Sequence, residues 1–214
     1  MSDDSGLSLI YPPFPRLTWD EPCWTARVIL ASWQRFQPAY DSDATPRRRR
    51  KAAGPAELSV SLPEELTDDD VRAVPSPEQA AACRHLLNAE AQIQAAILQA
   101  VLRACSDLRE SYAFWGDDEV EEEEIRAKLA PFVRHPEEFA GLIGLRAVHI
   151  LPVAKAGVAY VGFEFDCTWD GDHGLGVLTH KRRVIEVGEA DTAFEQESAK
   201  RDARSRKRVK RKRK

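Results

Sequence analysis

Acidic and histidine side chains concentrate around one turn-rich stretch in the C-terminal third of the chain. Carboxylates and imidazoles bind divalent metals and act as general acids and bases, so the stretch could support a metal site or proton transfer. Asp and Gly are also the residues that tight turns require. We therefore favour a structural role, in which Asp170 and His173 fix the turn by hydrogen bonds to backbone groups. The candidate functional cluster comprises Glu164, Asp166, Trp169, Asp170, Asp172, His173 and His180.

No nucleotide-binding, nucleophile-elbow or zinc-protease motif accompanies this cluster. The glycines at 171, 174 and 176 belong to a hairpin, because no helix follows them to cradle a phosphate. These patterns favour a protein that is not an enzyme, and no catalytic residue or cofactor is assigned. Binding of a divalent metal remains an open alternative. Trp169 is expected to be buried over the hairpin, and His149 to be a hydrogen-bonded strand histidine.

The elements that must position the cluster are strands. Between Ala159 and Cys167 every second residue is apolar, and this period of two is typical of a strand with one buried face. Asp170-Gly171 then marks a reversal of the chain. The pattern predicts a C-terminal antiparallel meander with strands at Leu142–Leu151, Gly157–Thr168, Leu175–His180 and Val184–Val187.

The stretch from 159 to 194 resembles a bacterial family known only as a domain of unknown function. Its members share a Gly-Phe-Glu-Phe strand, a Trp-Asp-x-Glu-His-Gly-x-Gly turn and a closing Gly-x-Ala-Asp. This chain departs at Asp172, where the family has Glu. The resemblance implies a small α+β domain and suggests a link to immunity proteins of bacterial toxin systems. The matching residues are Gly162, Phe163, Trp169, Asp170, His173, Gly174, Gly176, Gly188, Ala190 and Asp191.

A capping box at Ser76-Pro77-Glu78-Gln79 predicts the start of a long central helix that runs to about Arg109. Its apolar stripe at spacings of three, four and seven is expected to pack on the sheet. The predicted fold class is α+β, with an antiparallel sheet, the C-terminal meander, one long central helix and shorter helices, one of them at Thr67–Val74. We expect Leu86, Ile93, Ile97, Phe163 and Phe165 in one core.

Charge is distributed unevenly along the 214 residues. The net charge is −4, yet the last fifteen residues hold eleven Lys and Arg against one acid, Asp202. Such a segment cannot build a core and is expected to be disordered and to attract polyanions. The predicted polyanion-binding residues are Lys200, Arg201, Arg204, Arg206, Lys207, Arg208, Lys210, Arg211, Lys212, Arg213 and Lys214.

The predicted organisation is an irregular segment at 1–16, one α+β domain at 17–195 with an exposed basic loop at 38–56, and a disordered basic tail at 196–214. The chain lacks an apolar run long enough for a bilayer and a secretory signal, so we expect a cytoplasmic protein. The four cysteines, Cys23, Cys83, Cys105 and Cys167, are expected to be buried, reduced thiols.

Three functions are compatible with these patterns. The first is a binding module with a protein partner, such as a toxin inhibitor. The second is a metal-assisted enzyme at the hairpin cluster. The third is an accessory protein that binds nucleic acid non-specifically through its tail. The patterns indicate no membrane partner and leave the oligomeric state open.

Overall fold

One sheet organises the chain. The computed structural model describes residues 7–41, 43–48, 50–63, 73–111 and 119–205, with the backbone alone at 106–111 and 119–121. Within these residues, eight strands lie side by side in chain order. They are β1 (Ser8–Leu9), β2 (Leu17–Asp20), β3 (Cys23–Val28), β4 (Ala56–Ser61), β5 (Ile143–Lys155), β6 (Val158–Cys167), β7 (Leu175–His180) and β8 (Arg183–Gly188).

Neighbouring strands are antiparallel except for β4 and β5, which run parallel with Leu58 opposite Val148. A parallel pair needs a long crossover connection, and the helical middle of the chain provides it. The predicted α+β class and the C-terminal meander are therefore confirmed, and the parallel pair is the one departure from an antiparallel sheet.

The helices are α1 (Pro77–Asn88), α2 (Glu90–Ser111), α3 (Glu119–Leu129) and α4 (Gln196–Arg204). Short 3-10 helices lie at Ala31–Trp33, Pro136–Gly141 and Ala190–Ala193. None of the helices in the described ranges is both long enough and apolar enough to cross a membrane.

The capping box forms as predicted. Ser76 Oγ accepts a hydrogen bond from the Gln79 amide at 3.2 Å, and Gln79 Oε1 accepts one from the Ser76 amide at 2.9 Å. The prediction of a single long helix is wrong, because the helix breaks at Ala89. Glu90, at the start of α2, accepts a hydrogen bond from the Ser32 amide at 2.5 Å. This long-range contact ties the start of α2 to a distant segment, and no local pattern predicts it.

The main core lies between the sheet and helices α1 and α2. Phe163 and Phe165 on β6 are buried in the same cluster as Leu86 of α1 and Ile93 and Ile97 of α2, which confirms the predicted core. Successive side chains of a strand point to opposite faces, so the residues between these phenylalanines face the other side of the sheet.

That second face is covered by the last elements of the chain. Ala199 of α4 packs with Leu151, Tyr160 and Leu178 in a smaller apolar cluster. The 3-10 helix at Ala190–Ala193 also contacts β6, β7 and β8. The sheet is thus sandwiched between the central helices on one side and the C-terminal elements on the other.

Three predicted boundaries need correction. The N-terminal segment is not wholly irregular, because Ser8–Leu9 pairs with β2. The basic loop ends before Ala56, which is the first residue of β4. The segment 196–204 is the helix α4 and not a disordered tail, because it buries Ser198 and Ala199 against the sheet. Most of the predicted helix at Thr67–Val74 lies outside the described residues, and Ala73 and Val74 are not helical.

Candidate functional site

The turn between β6 and β7, here called the hairpin tip (residues 168–174), is held together by Asp170. This carboxylate is buried, and its Oδ1 accepts hydrogen bonds from the amides of Asp172 at 3.2 Å and His173 at 2.9 Å. The Asp170 carbonyl accepts from the Gly174 amide at 3.1 Å and from Cys167 Sγ at 3.3 Å. Asp170 therefore organises the turn through backbone groups, as predicted.

His173 behaves differently from the prediction that it bonds backbone groups through its ring. Its side chain is 64% exposed, and its Nδ1 lies 3.2 Å from both carboxylate oxygens of Asp170. The group of His173 that bonds another main-chain group is its backbone carbonyl, which accepts a hydrogen bond from the Ala190 amide. Trp169 is buried as predicted, beside the apolar side chains of Val101 and Phe139.

Glu164 lies on the second face of the sheet, opposite Gly176 of β7. His149 Nε2 donates to Glu164 Oε2 at 2.8 Å, and Arg146 lies 3.4 Å from Glu164 Oε1. The bond from His149 is the main reason that the pKa of Glu164 lies below its usual value. The ring of Phe194 packs edge-on against His149 at 5.2 Å. His149 is thus the hydrogen-bonded strand histidine that the sequence indicated, with Glu164 as its partner.

Among the described residues, neither Asp166 nor His180 forms a hydrogen bond or ion pair with Glu164 or His149. Asp166 is exposed and borders a surface depression beside Arg47 and Arg48 of the basic loop. His180 lies at the opposite end of the strands, where its Nε2 donates to the carbonyls of Lys155 at 2.9 Å and Val158 at 3.2 Å. Burial lowers the pKa of His180. The structure therefore divides the predicted cluster among separate locations.

This division bears on the metal-site hypothesis. Throughout the described residues, which include the whole hairpin tip, no group of three or more His, Cys, Asp and Glu side chains is placed to hold a metal ion. Burial raises the pKa of the Cys83 thiol to about 11 and that of the Cys167 thiol to about 12. Cys23 and Cys105 are only half-buried, so the prediction of buried thiols holds for two of the four.

The glycines that carry the family resemblance create close backbone contacts. A Cβ atom on Gly162 would lie 1.5 Å from the Ala193 carbonyl oxygen, and one on Gly176 would lie 2.2 Å from the Glu189 carbonyl oxygen. Gly188 similarly leaves space for Thr192, where a Cβ would approach Oγ1 to 2.5 Å. These glycines let the 3-10 helix at Ala190–Ala193 lie directly on the sheet, so much of the shared motif serves packing.

A larger site lies at the other end of the strands. There the turn between β5 and β6, the turn between β7 and β8, helix α1 and the end of α4 enclose a cleft of about 960 Å³, here called the basic cleft. Its lining includes four Lys and Arg side chains, two histidines and one carboxylate. These residues are Lys155, Lys181, Arg182, Arg183, His85, His180 and Asp202.

Asp202 is already bonded by several donors. Arg183 donates from Nη1 to Oδ1 at 3.0 Å and from Nη2 to Oδ2 at 2.6 Å. Tyr160 Oη donates to Oδ2 at 2.6 Å, and Lys155 Nζ lies 3.2 Å from the same oxygen. The bond from Arg183 is the largest cause of a pKa of Asp202 well below its usual range. Burial, aided by the bond to Asp202, raises the pKa of Tyr160 above its usual value.

The other side of the cleft carries charge that no described carboxylate neutralises. Lys181 and Arg182 are exposed at the turn between β7 and β8 and form no ion pair with any described residue. Nearby, His85 Nε2 is buried without a hydrogen-bond partner among the described residues. Burial, followed by the charges of Lys181 and Arg182, lowers the pKa of His85. The site is suited to an anion.

Sequence reasoning located only part of this surface. It assigned Lys200 and Arg201 to polyanion binding, but they lie on α4 and contact Glu197 at 3.0 Å and Glu186 at 3.6 Å. Arg204 is exposed at the end of the same helix, and the predicted residues from Arg206 to Lys214 lie outside the described residues. The residues that sequence reasoning missed are at 155 and 181–183, and the signal was the consecutive Lys-Arg-Arg of the turn.

Comparison with known proteins assigns the chain to a family but supplies no function. Neither the curated proteins nor the solved structures contain a match to the chain. These comparisons give no support to a link with toxin-immunity proteins. Most of the basic cleft lies within the part of the chain that a family match covers, while Asp202 and Ser205 lie beyond it. Matched over residues 53–194, the chain belongs to the DUF6985 family, a domain of unknown function.

Proposed function

We propose that this protein binds nucleic acid without sequence specificity, through the phosphate backbone, at the basic cleft. The observation that carries the proposal is the uncompensated charge of the cleft. Lys181 and Arg182 face it without an ion-pair partner among the described residues, while its single carboxylate, Asp202, is bonded by three side chains. Cations in such a position release counterions from a polyanion when they contact its phosphates.

The chain continues from the cleft into its most basic segment. Ser205 lines the cleft at the end of α4, and eight of the nine residues from 206 to 214 are Lys or Arg. A ligand in the cleft therefore lies close to the point where this segment begins. The cleft and the segment would act on one polyanion, and the covalent link raises the effective concentration of the second contact.

The composition of the cleft favours contact with phosphates over contact with bases. Among the described residues that line it there is no Phe, Tyr or Trp ring on which a base could stack, although the Tyr160 hydroxyl reaches Asp202 from below. Stacking on aromatic rings is the usual means by which proteins grip unpaired bases. Positive charge without a stacking platform supports backbone binding, which is insensitive to sequence.

The rest of the molecule restricts where a polyanion can bind. The net charge is −4 although the last fifteen residues are strongly positive, so the remaining surface repels phosphates on average. This asymmetry favours a single orientation of the ligand, with the cleft toward the backbone.

The test compares two double variants that remove the same charge. Lys181→Gln with Arg182→Gln neutralises the cleft, and Arg27→Gln with Arg134→Gln neutralises two exposed arginines elsewhere. Binding of a fluorescein-labelled, mixed-sequence DNA duplex is followed by anisotropy over a range of salt concentrations. For two lost phosphate contacts, the slope of log K against log salt should become shallower by about 1.8 in the cleft variant. The control variant should retain the wild-type slope.

A third protein, ending at Ser205, measures the contribution of the basic segment. It should bind the duplex more weakly than the full chain at about 150 mM salt, because it lacks eight basic residues. It should melt at the same temperature, because a Lys- and Arg-rich sequence has little apolar surface to bury. Equal affinity and equal slope for the cleft variant and its control would refute the proposed function.

A further inference from the structure

The hydrogen bonds around Asp202 have the arrangement of an anion-binding site. The guanidinium of Arg183 binds the carboxylate with two parallel bonds, and Tyr160 and Lys155 add two further donors. Two-pronged binding by arginine matches phosphate as well as carboxylate, since both present paired oxygens to the planar fork. The Asp202 side chain is only 15% exposed, so the four donors surround it closely.

These donors come from the rigid part of the molecule. Tyr160 is fully buried on β6, Lys155 ends β5 and Arg183 begins β8. Asp202, by contrast, belongs to the last turn of α4, near the end of the described chain. The donors therefore form a cradle at the ends of sheet strands, and the carboxylate is supplied by a helix end, where local opening costs little free energy.

We propose that Lys155, Tyr160 and Arg183 form a phosphate subsite of the basic cleft, and that Asp202 occupies this subsite in the free protein. A phosphate of the bound backbone displaces the carboxylate and takes over its donors. Asp202 is thus an internal competitor that sets the affinity of the cleft. The inference rests on the proposed function, because it assigns a role within the same cleft.

Displacement would also change the end of α4. Lys155 Nζ donates to the Asp202 carbonyl at 2.5 Å and lies 3.2 Å from Ser205 Oγ, so it holds the last turn of the helix. When a phosphate recruits Lys155 and Arg183, that turn loses its attachment to the sheet. The last turn of α4 then gains freedom to open, which couples occupation of the subsite to local movement at 200–205.

The test removes the charge of Asp202 and compares this variant with one that loses the same charge elsewhere on α4. Asp202→Asn keeps the shape of the side chain and removes its charge, while Glu197→Gln removes the same charge from an exposed position on α4. Asp202→Asn should bind the labelled duplex roughly tenfold more tightly than Glu197→Gln at about 150 mM salt.

A second measurement uses the wild-type chain and does not depend on how well the variant folds. Amide hydrogen exchange at 200–205 should become faster when the duplex binds, because Asp202 leaves the cradle. Asp202→Asn binding no more tightly than Glu197→Gln, or exchange at 200–205 that is unchanged or slower on binding, would overturn the inference. A Lys181 and Arg182 variant whose affinity and salt slope equal those of its control would instead refute the proposed function, so the two failures are distinguishable.

Discussion

The two ends of β6 carry opposite kinds of polar surface. At the end near Cys167, the hairpin tip holds carboxylates and a histidine that bond each other and the turn backbone. At the end near Val158, roughly 30 Å away by strand length, the basic cleft presents Lys181 and Arg182 without partners among the described residues. The comparison teaches that a concentration of reactive residue types is a weak guide to function when those residues satisfy one another. Charge left without a partner is the more informative signal.

The largest expected change in stability comes from Gly162, and it tests whether the glycines of the motif serve packing. Gly162→Ala should destabilise the protein by about 3 kcal/mol or more, because a Cβ there would overlap the Ala193 backbone. Urea unfolding measures the change in free energy. Gly141→Ala is the matched control, since its added Cβ would lie 3.9 Å from the nearest side-chain atom, an ordinary contact distance. Similar stability of the two variants would contradict the packing role of the motif.

Asp170 tests the hairpin tip alone. Asp170→Ala should cost about 2–3 kcal/mol, because it leaves two backbone amides without the charged acceptor that they share. Affinity for the duplex should stay unchanged, since the tip is remote from the basic cleft. Asp172→Ala, an exposed change in the same turn, should alter the stability little. A loss of binding in Asp170→Ala without a loss of stability would show that the tip contributes to function.

The smallest expected change in stability is that of His173→Ala, and this variant also tests the metal-site hypothesis. Because its side chain is 64% exposed, His173→Ala should change the free energy of unfolding by only about 0.5 kcal/mol. Thermal melts of both proteins are compared with chelator and with added zinc. A difference between wild type and variant that arises solely with zinc would revive the metal-site hypothesis and end the view of the tip as purely structural.

Local patterns predicted the C-terminal half of the fold well. Each of the successful signals acts over only a few residues, so it can be recognised in the sequence. These signals are the alternation in β6, the reversal at Asp170-Gly171 and the capping box at Ser76. The break at Ala89 and the parallel pairing of β4 with β5 were missed, because both depend on contacts between segments far apart in the chain. The candidate site was predicted least well, since its charges come from several elements.

The sequence by itself determined the α+β class, the meander, the core of Phe163 and Phe165 and the basic character of the C-terminus. Only the tertiary structure decided that His180 belongs with Lys155 rather than with His173, and that α4 is folded. The physical reason is the range of the interactions. Asp202 is 47 positions from Lys155, 42 from Tyr160 and 19 from Arg183, and their hydrogen bonds exist only once the sheet has brought the strand ends together.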